Sequence, residues 1–591
     1  MRVVNVTIVG VGPRGISVLE RIGAAAPSQQ VHLHLVDVSE VGAGAVWLTD
    51  QTRALCMNTL AGAVTLFTEP GSTLGIPVQQ GPTMFEWIQR IRGDLDAPLY
   101  SLYETYPADA SAPVFSEDLR HLIASFEDEI SVTRTESNPS RALYGAYLKW
   151  CFEIALDRLP DTVQVYSHRD QAVSLTEVTE AGRTFDRIQL AGGGSIDSDV
   201  TVLALGWITP AESSHEEELA LSGLPWVKPA NPLLQAGIRQ LPAASSGQKV
   251  LVRGLGMGFF DLMALVTLDR GGRFLPDEQA PGGLRYEASG AEPHLVVASG
   301  RGYPFLPKSE YGDLPPVAPT PAFDEVYQRL VARDDSISFR DQVYPAILSD
   351  VLAQDPSFQI EEWVNPLGDF VGSLDQLTSH VATRLEQDIH HAELAASSPL
   401  KNALWVISSV RKRIMILGSG GRYEDQAEVS RFMKMGQMVG SGPPAFRSRQ
   451  LLALIHAGLI SFAGARPSIT AEKGEWVMRT ATSQEAVTGA VLVDAWMHKP
   501  DAFHTSDSLL LSLKERMRPF RGSGSPETDP ATRLLVHEDG GLDPRVLLIG
   551  IPTGTQHPDT TISPMPGTDP LFLQETDKAA RTVLERIRQM N

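Results

Sequence analysis

The chain has 591 residues, 42% of them hydrophobic, and carries 71 acidic against 50 basic side chains for a formal net charge of −21. That length suits about three or four ordinary domains, and the acidic balance disfavours nonspecific binding to nucleic acid or anionic membranes. No apolar run approaches the roughly 18 residues of a membrane span. Val3–Val9 is too short for a secretory signal core, and Cys56 and Cys151 cannot form a Cys-x-x-Cys pair or a cysteine zinc site.

Those two cysteines exclude dithiol–disulfide reductases and leave a reducing cytoplasm as the expected compartment. No metal site is expected.

Residues 3–9 read as a buried parallel strand, apolar and rich in valine and isoleucine. Gly10-Val11-Gly12-Pro13-Arg14-Gly15 follows, and a helical pattern begins at Ile16. This is G-x-G-x-x-G in its strand–turn–helix setting. Gly10 allows the tight turn, Gly12 lets a pyrophosphate approach the backbone, and Gly15 lets helix and strand pack closely. The helix N-terminus offers free N–H groups and a favourable dipole to the phosphates. A second strand, Val31–Val36, ends at Asp37, where a carboxylate accepts from an adenosine ribose. His32 and His34 alternate with apolar residues in that strand and read as structural.

Small residues at Gly42-Ala43-Gly44 suit a chain running close under an extended dinucleotide. A strand at Val163–Tyr166, a hairpin turn at 191–195 and a buried strand 199–205 ending at Gly206 form a β-meander and return. Together these features favour FAD over NAD at the first site.

Lys249–Arg253 is another short strand, followed by Gly254-Leu255-Gly256-Met257-Gly258 and an apolar helix. The third glycine stands one residue early, and Asp261 falls in the following helix. A further strand, His294–Ala298, leads to Arg301, which occupies the place of Asp37 in the first unit. An arginine there pairs with a 2′-phosphate and favours NADPH. The alternative is an arginine that stabilises its own loop.

Ala322–Ile460 turns helical, with Ser398-Pro399 as a helix start, and is expected to cap the flavin and shape a substrate pocket. Glu386, His390 and His391 read as a solvated helix face, and Arg411, Lys412 and Arg413 as a surface cluster. Strands are expected at 490–494 and 545–550, a loop at 551–570, and a last helix from Leu571 to Met590. His557, in that loop, is expected to face solvent.

With these residues the chain resembles the bacterial FAD/NAD(P)-binding proteins distantly related to class B flavin monooxygenases and N-hydroxylating monooxygenases. The resemblance rests on Gly10 to Asn58, Pro139 to Tyr144, Gly254 to Pro304, Ser398 to Lys401 and Gly550 to Thr553. It implies that Trp47, Met57 and Asn58 lie near the isoalloxazine, with Asn58 the candidate catalytic residue. It also implies that Arg141 contacts the phosphates or the nicotinamide dinucleotide, and that Pro552 and Thr553 approach the flavin.

The expected fold class is α/β, with two Rossmann-like dinucleotide-binding domains and a helical insertion. The first part of the FAD domain spans 1–215, the NAD(P)-like domain 216–320, the insertion 321–480, and the return to the FAD domain 481–591. The expected function is an FAD-dependent, NAD(P)H-dependent monooxygenase using oxygen on a small molecule, at an amine nitrogen. An FAD oxidase or dehydrogenase with a degenerate second site, and a non-catalytic flavin-binding regulator, remain the alternatives.

Overall fold

Apolar strands flanked by glycine turns set the architecture, because strands buried on both faces assemble into parallel sheets covered on each side. The computed structural model describes residues 2–39, 41–93, 116–230, 235–557 and 563–590. The chain divides into two units: Met1–Ala211 with Lys499–Asn591, and Glu212–His498.

The first unit opens with β1 (Val4–Val9), α1 (Pro13–Ala25) and β2 (Val31–Asp37). It continues through α2 (Arg141–Asp157), β3 (Val163–Arg169), β4 (Ala172–Glu180), β5 (Arg183–Leu190), β6 (Ser195–Ser198) and β7 (Val200–Leu205). The second unit contains β8 (Trp226–Val227), β9 (Lys249–Arg253), α3 (Met257–Thr267), β10 (Arg273–Pro276), β11 (Leu284–Glu287) and β12 (His294–Ser299). Then come α4 (Pro321–Val331), α5 (Leu374–Leu394), α6 (Pro399–Leu417) and α7 (Ala445–His456), with β13 (Ile460–Ala465), β14 (Ser468–Glu472), β15 (Glu475–Arg479), β16 (Val487–Gly489) and β17 (Val491–Asp494). The first unit resumes with β18 (Leu534–Val536), β19 (Leu542–Gly550) and α8 (Leu571–Gln589).

The first sheet has the order β18-β19-β7-β1-β2-β3. All its pairs are parallel except β18 with β19. Val4, Val6 and Ile8 on one face join a core with α1, α2 and α8. Val9, Val36, Leu203 and Leu548 on the other face pack against Leu175, Ile188 and Ile196 of the antiparallel β4-β5-β6 sheet.

The second sheet, β13-β12-β9-β17-β8, is parallel throughout. Its inner face packs Leu251, Val296 and Leu492 against Ile469, Trp476 and Met478 of another antiparallel sheet, β14-β15-β16. Both units thus pair a parallel sheet with a three-stranded meander.

Two expectations about this half need correction. The helical run ends at His456, close to the expected Ile460, but β13 to β15 fall inside the stretch 321–480 expected as a helical insertion. A two-residue turn with both residues at positive φ, Lys473 at 51° and Gly474 at 82°, joins β14 to β15, the geometry that favours hairpins. Val491–Asp494, read as part of the return, pairs with β9 and β8 instead. Its apolar pattern is that of any buried parallel strand and does not say which sheet it joins.

Candidate functional site

In each unit the strand that leads into the glycine turn lies inside the sheet, with a later strand of the chain on either side. β1 lies between β2 and β7, and β9 lies between β12 and β17. Ligands of open parallel sheets bind beyond the carboxyl ends of the strands at such a switch point.

The two glycine turns adopt the same conformation. Gly10 has φ 89° and Gly254 φ 116°. A Cβ on Gly10 would lie 2.5 Å from the Ala204 carbonyl oxygen, and one on Gly254 2.6 Å from that of Ala495. The Gly10 amide donates to Val36 O and the Gly254 amide to Ala298 O, each at 2.8 Å. Gly12 (φ −81°, ψ −160°) and Gly256 (φ −88°, ψ −160°) are the N-cap residues of α1 and α3. Neither helix has a side-chain cap, whereas Ser140 caps α2 through the Leu143 amide at 3.1 Å. The first-turn N–H groups of α1 and α3 therefore remain available to phosphate oxygens. Pro13, at N1, has no N–H to satisfy and a preset φ.

The turns differ at the third fingerprint position. A Cβ on Gly15 would meet Gly10 O at 2.3 Å, so helix and turn touch there. The corresponding residue in the second unit is the fully buried Phe259. Gly258 stands where Arg14 stands in the first unit, and faces Ala495 O, 2.9 Å from an added Cβ.

Asp37, at the carboxyl end of β2, is buried. One of its oxygens accepts from the Val11 amide at 2.7 Å, and the other from Ser39 N and Oγ at 2.9 and 2.8 Å. The chain then turns under the glycine loop, where Gly42 N donates to Val11 O at 2.9 Å. Gly44 (φ 72°) faces Gly12 so closely that an added Cβ would lie 3.0 Å from the Gly12 Cα. This cradle fits a dinucleotide: an uncapped helix N-terminus, a backbone lined by glycine, and a carboxylate at the ribose end.

The other residues implied by the resemblance assemble on the same unit. Trp47 packs edge-on against Tyr144 of α2, with ring centroids 4.7 Å apart. The Met57 amide donates to Pro139 O at 2.7 Å and the Arg141 amide to Leu55 O at 2.8 Å, so Asn58 and Arg141 are held on neighbouring strips of backbone. The Met57 side chain itself enters the core. Gly206 is exposed just after β7, and Gly550 pairs with Leu205 in the adjacent strand. Pro552 and the fully buried Thr553, whose hydroxyl donates to Gly550 O at 2.8 Å, follow there.

The Arg14 side chain is committed elsewhere: it donates to Glu575 at 2.9 Å and lies over the Phe572 ring.

His557 is buried, against the expectation of an exposed loop residue. Its Nε2 meets the Thr528 hydroxyl at 2.7 Å, and Gln556 exchanges two 2.8 Å hydrogen bonds with the Thr528 backbone. Burial, with Arg533 and Lys578 adding positive charge, pulls the His557 pKa down to about 3, so it is neutral near pH 7. A loop without periodicity gave no sign of this lock.

In the second unit, Arg301 follows β12 and is half-buried. Burial lowers its pKa, and it makes no ion pair or side-chain hydrogen bond among the described residues. Its loop is pinned at both ends: Tyr303 donates to the buried Asp388 at 2.6 Å, and buried Lys401 donates to Pro307 O at 2.5 Å. Burial pulls Lys401 down to about 8, with Asp388 opposing.

Sequence reading missed Asp494, fully buried at the end of β17. It accepts from Arg253 at 2.6 and 2.7 Å, from Trp226 at 2.8 Å and from Trp496 at 3.0 Å.

Two surface readings also change. Arg413 pairs with Asp324 and lies over Phe323, and Arg411 reaches Ser441 at 3.3 Å. His390 is exposed as expected, while His391 bonds the Ser398 hydroxyl at 3.0 Å. Among the described residues there is no cluster that could hold a metal ion, and no helix long and apolar enough to cross a membrane.

Comparison with known proteins gives matches over nearly the whole chain. A family model described as FAD-NAD(P)-binding matches residues 7–207. An L-aspartate N-monooxygenase (nitrosuccinate-forming) of Streptomyces cremeus is 30% identical, over 99% of this chain and 95% of that protein. One of the same description from Streptomyces davaonensis is 28% identical, over 98% and 97%. Nitrosuccinic acid synthase of Aspergillus oryzae is 28% identical, over 98% and 92%.

Proposed function

The chain belongs to the FAD/NAD(P)-binding flavin monooxygenases that include the nitrosuccinate-forming L-aspartate N-monooxygenases, and from that premise we propose that it oxygenates the amine nitrogen of L-aspartate with NADPH in the cytoplasm. It is an FAD-dependent oxidoreductase acting on a small molecule at nitrogen. The oxidase and non-catalytic alternatives are set aside by that membership. The near full-length likeness to L-aspartate N-monooxygenases carries the choice of substrate.

The first oxygenation balances as amine, O2, NADPH and a proton giving hydroxylamine, water and NADP+. Bound FAD supplies the redox chemistry, accepting hydride from NADPH and activating oxygen. The protein's part is to bind, orient and tune. Asp37 receives the ribose, and the amides at the start of α1 receive the pyrophosphate. Asn58 would offer its amide to the flavin. Neutral His557 and Gln556 hold the loop of Pro552 and Thr553 in place without adding a titrating charge near pH 7. In the second unit, the amides at the start of α3 take the nicotinamide dinucleotide's phosphates. Arg301, which makes no ion pair among the described residues, takes the 2′-phosphate.

The test is a panel of amines with the FAD-loaded protein, following NADPH consumption against N-oxygenated product. L-Aspartate should give the highest coupling of NADPH to product. Equal or better coupling with L-ornithine or L-lysine would overturn the choice of substrate.

A further inference from the structure

The carboxyl ends of β12 and β13 lie side by side, with Ser299 opposite Ala465 in a parallel pair. Arg301 follows the first strand and Arg466 the second. One carbonyl ties both turns together: Ser299 O accepts from Gly302 N at 3.2 Å and from Arg466 N at 2.9 Å. The turn that carries Arg301 rests directly on the end of β13, because a Cβ on Gly302 would lie 2.7 Å from the Gly464 carbonyl carbon and 2.8 Å from Ala465 N.

Arg466 is held there at a cost. Its φ is 53°, a left-handed conformation that side chains other than glycine, asparagine and aspartate rarely adopt. The Thr482 hydroxyl accepts the Ala465 amide at 2.8 Å, and Ala481 N donates to Ala465 O at 2.9 Å, so the residue before Arg466 is fixed on both sides. The exposed Arg466 side chain makes no hydrogen bond, ion pair or ring contact among the described residues. Arg301 likewise makes no ion pair among the described residues. Each turn thus brings an arginine to the carboxyl edge of the sheet, the side on which open parallel sheets bind their ligands.

We propose that Arg466 is a second specificity-determining residue for the 2′-phosphate of NADPH, joining Arg301 from the adjacent strand end. The assignment rests on the reading of Arg301 given above. Two arginines offer a doubly charged phosphate monoester more donors than either alone, and charge-assisted bonds of this kind are the strong ones. An adenosine without the 2′-phosphate has nothing to place there, so Arg466 discriminates NADPH from NADH and contributes little to NADH. The contribution comes from a strand about 165 residues beyond Arg301 in sequence, after all the intervening helices.

The experiment is calorimetric titration of the full-length, FAD-loaded protein with 2′,5′-ADP and with 5′-AMP, for wild type, Arg301→Gln, Arg466→Gln and Arg466→Lys. Glutamine keeps a side chain at the left-handed position and removes only the charge and fork. Arg466→Gln should weaken 2′,5′-ADP on the order of tenfold and leave 5′-AMP unchanged, with Arg466→Lys between glutamine and wild type. Unchanged 5′-AMP binding reports that the nucleotide site is still folded. If Arg301→Gln loses the preference for 2′,5′-ADP while Arg466→Gln keeps it, the role of Arg466 is overturned and that of Arg301 stands. If wild type binds the two nucleotides equally, both assignments fall.

Discussion

The Asp37 carboxylate accepts the Val11 amide at 2.7 Å, so the acidic end of the second strand and the glycine turn after the first form one rigid piece. The carboxylate proposed to hold the ribose is thereby set at a fixed distance from the α1 N-terminus proposed to hold the phosphates. Asp37→Ala removes the ribose acceptor and frees the Val11 amide together. Flavin affinity should fall by roughly 10- to 100-fold, the worth of one or two bonds to a charged group. The check is FAD retained per chain after gel filtration, with Asp37→Asn expected to hold more than alanine.

Arg14 and Glu575 couple α1 to α8 within the same unit. Both side chains are largely buried, and Arg533 also lies 3.9 Å from Glu575. Glu575→Ala would leave two buried guanidinium groups without their carboxylate, a change that costs about 3 kcal/mol or more. Urea unfolding measures it. Arg14→Met combined with Glu575→Met should recover most of the loss, because no unpaired charge remains at the Arg14 end.

Acid should weaken the first unit through His557. Its folded pKa of about 3 lies below the ordinary 6.5, so unfolding takes up a proton between those values. The stability is present above pH 6.5 and drains away as pH falls, by up to about 1.4 kcal/mol per pH unit. His34 acts in the same direction: burial, then His168 and His32, lower it to about 4. Thermal midpoints from pH 7.5 to 5 should fall less steeply for His557→Gln than for wild type. Parallel slopes would refute the assignment.

Lys401 anchors the loop that carries Arg301. Lys401→Met keeps the buried stem and loses the bond to Pro307. KM for NADPH should rise roughly 3- to 10-fold, within the cost of one lost bond to a charged group. FAD content should stay unchanged, since the anchor lies in the second unit. Steady-state kinetics beside the flavin spectrum separate the two.

Much of this was legible in the sequence because the glycine turns are local. Gly15 answers to Gly10 O within the turn, and although Gly10 faces the distant Ala204 O, the strand–turn–helix setting can be read within 15 residues. Arg301 could be located by counting from the second turn. What stayed hidden depends on partners far apart in the chain. The Arg14 side chain pairs with Glu575, 561 residues away, which the phosphate-loop motif does not indicate. His557 sits in a loop whose burial depends on Thr528, and Val491–Asp494 could have joined either sheet. Arg466 has no motif of its own and gains meaning only from the pairing of β12 with β13.

The proposed reaction transfers oxygen to the nitrogen of L-aspartate at the expense of NADPH. Its most direct test is turnover of the FAD-loaded protein with NADPH and L-aspartate under isotopically labelled oxygen, with mass analysis of the product. Label should appear on the product nitrogen, and NADPH consumption should rise with L-aspartate. Steady NADPH oxidation that yields hydrogen peroxide alone, with L-aspartate recovered unlabelled, would contradict it.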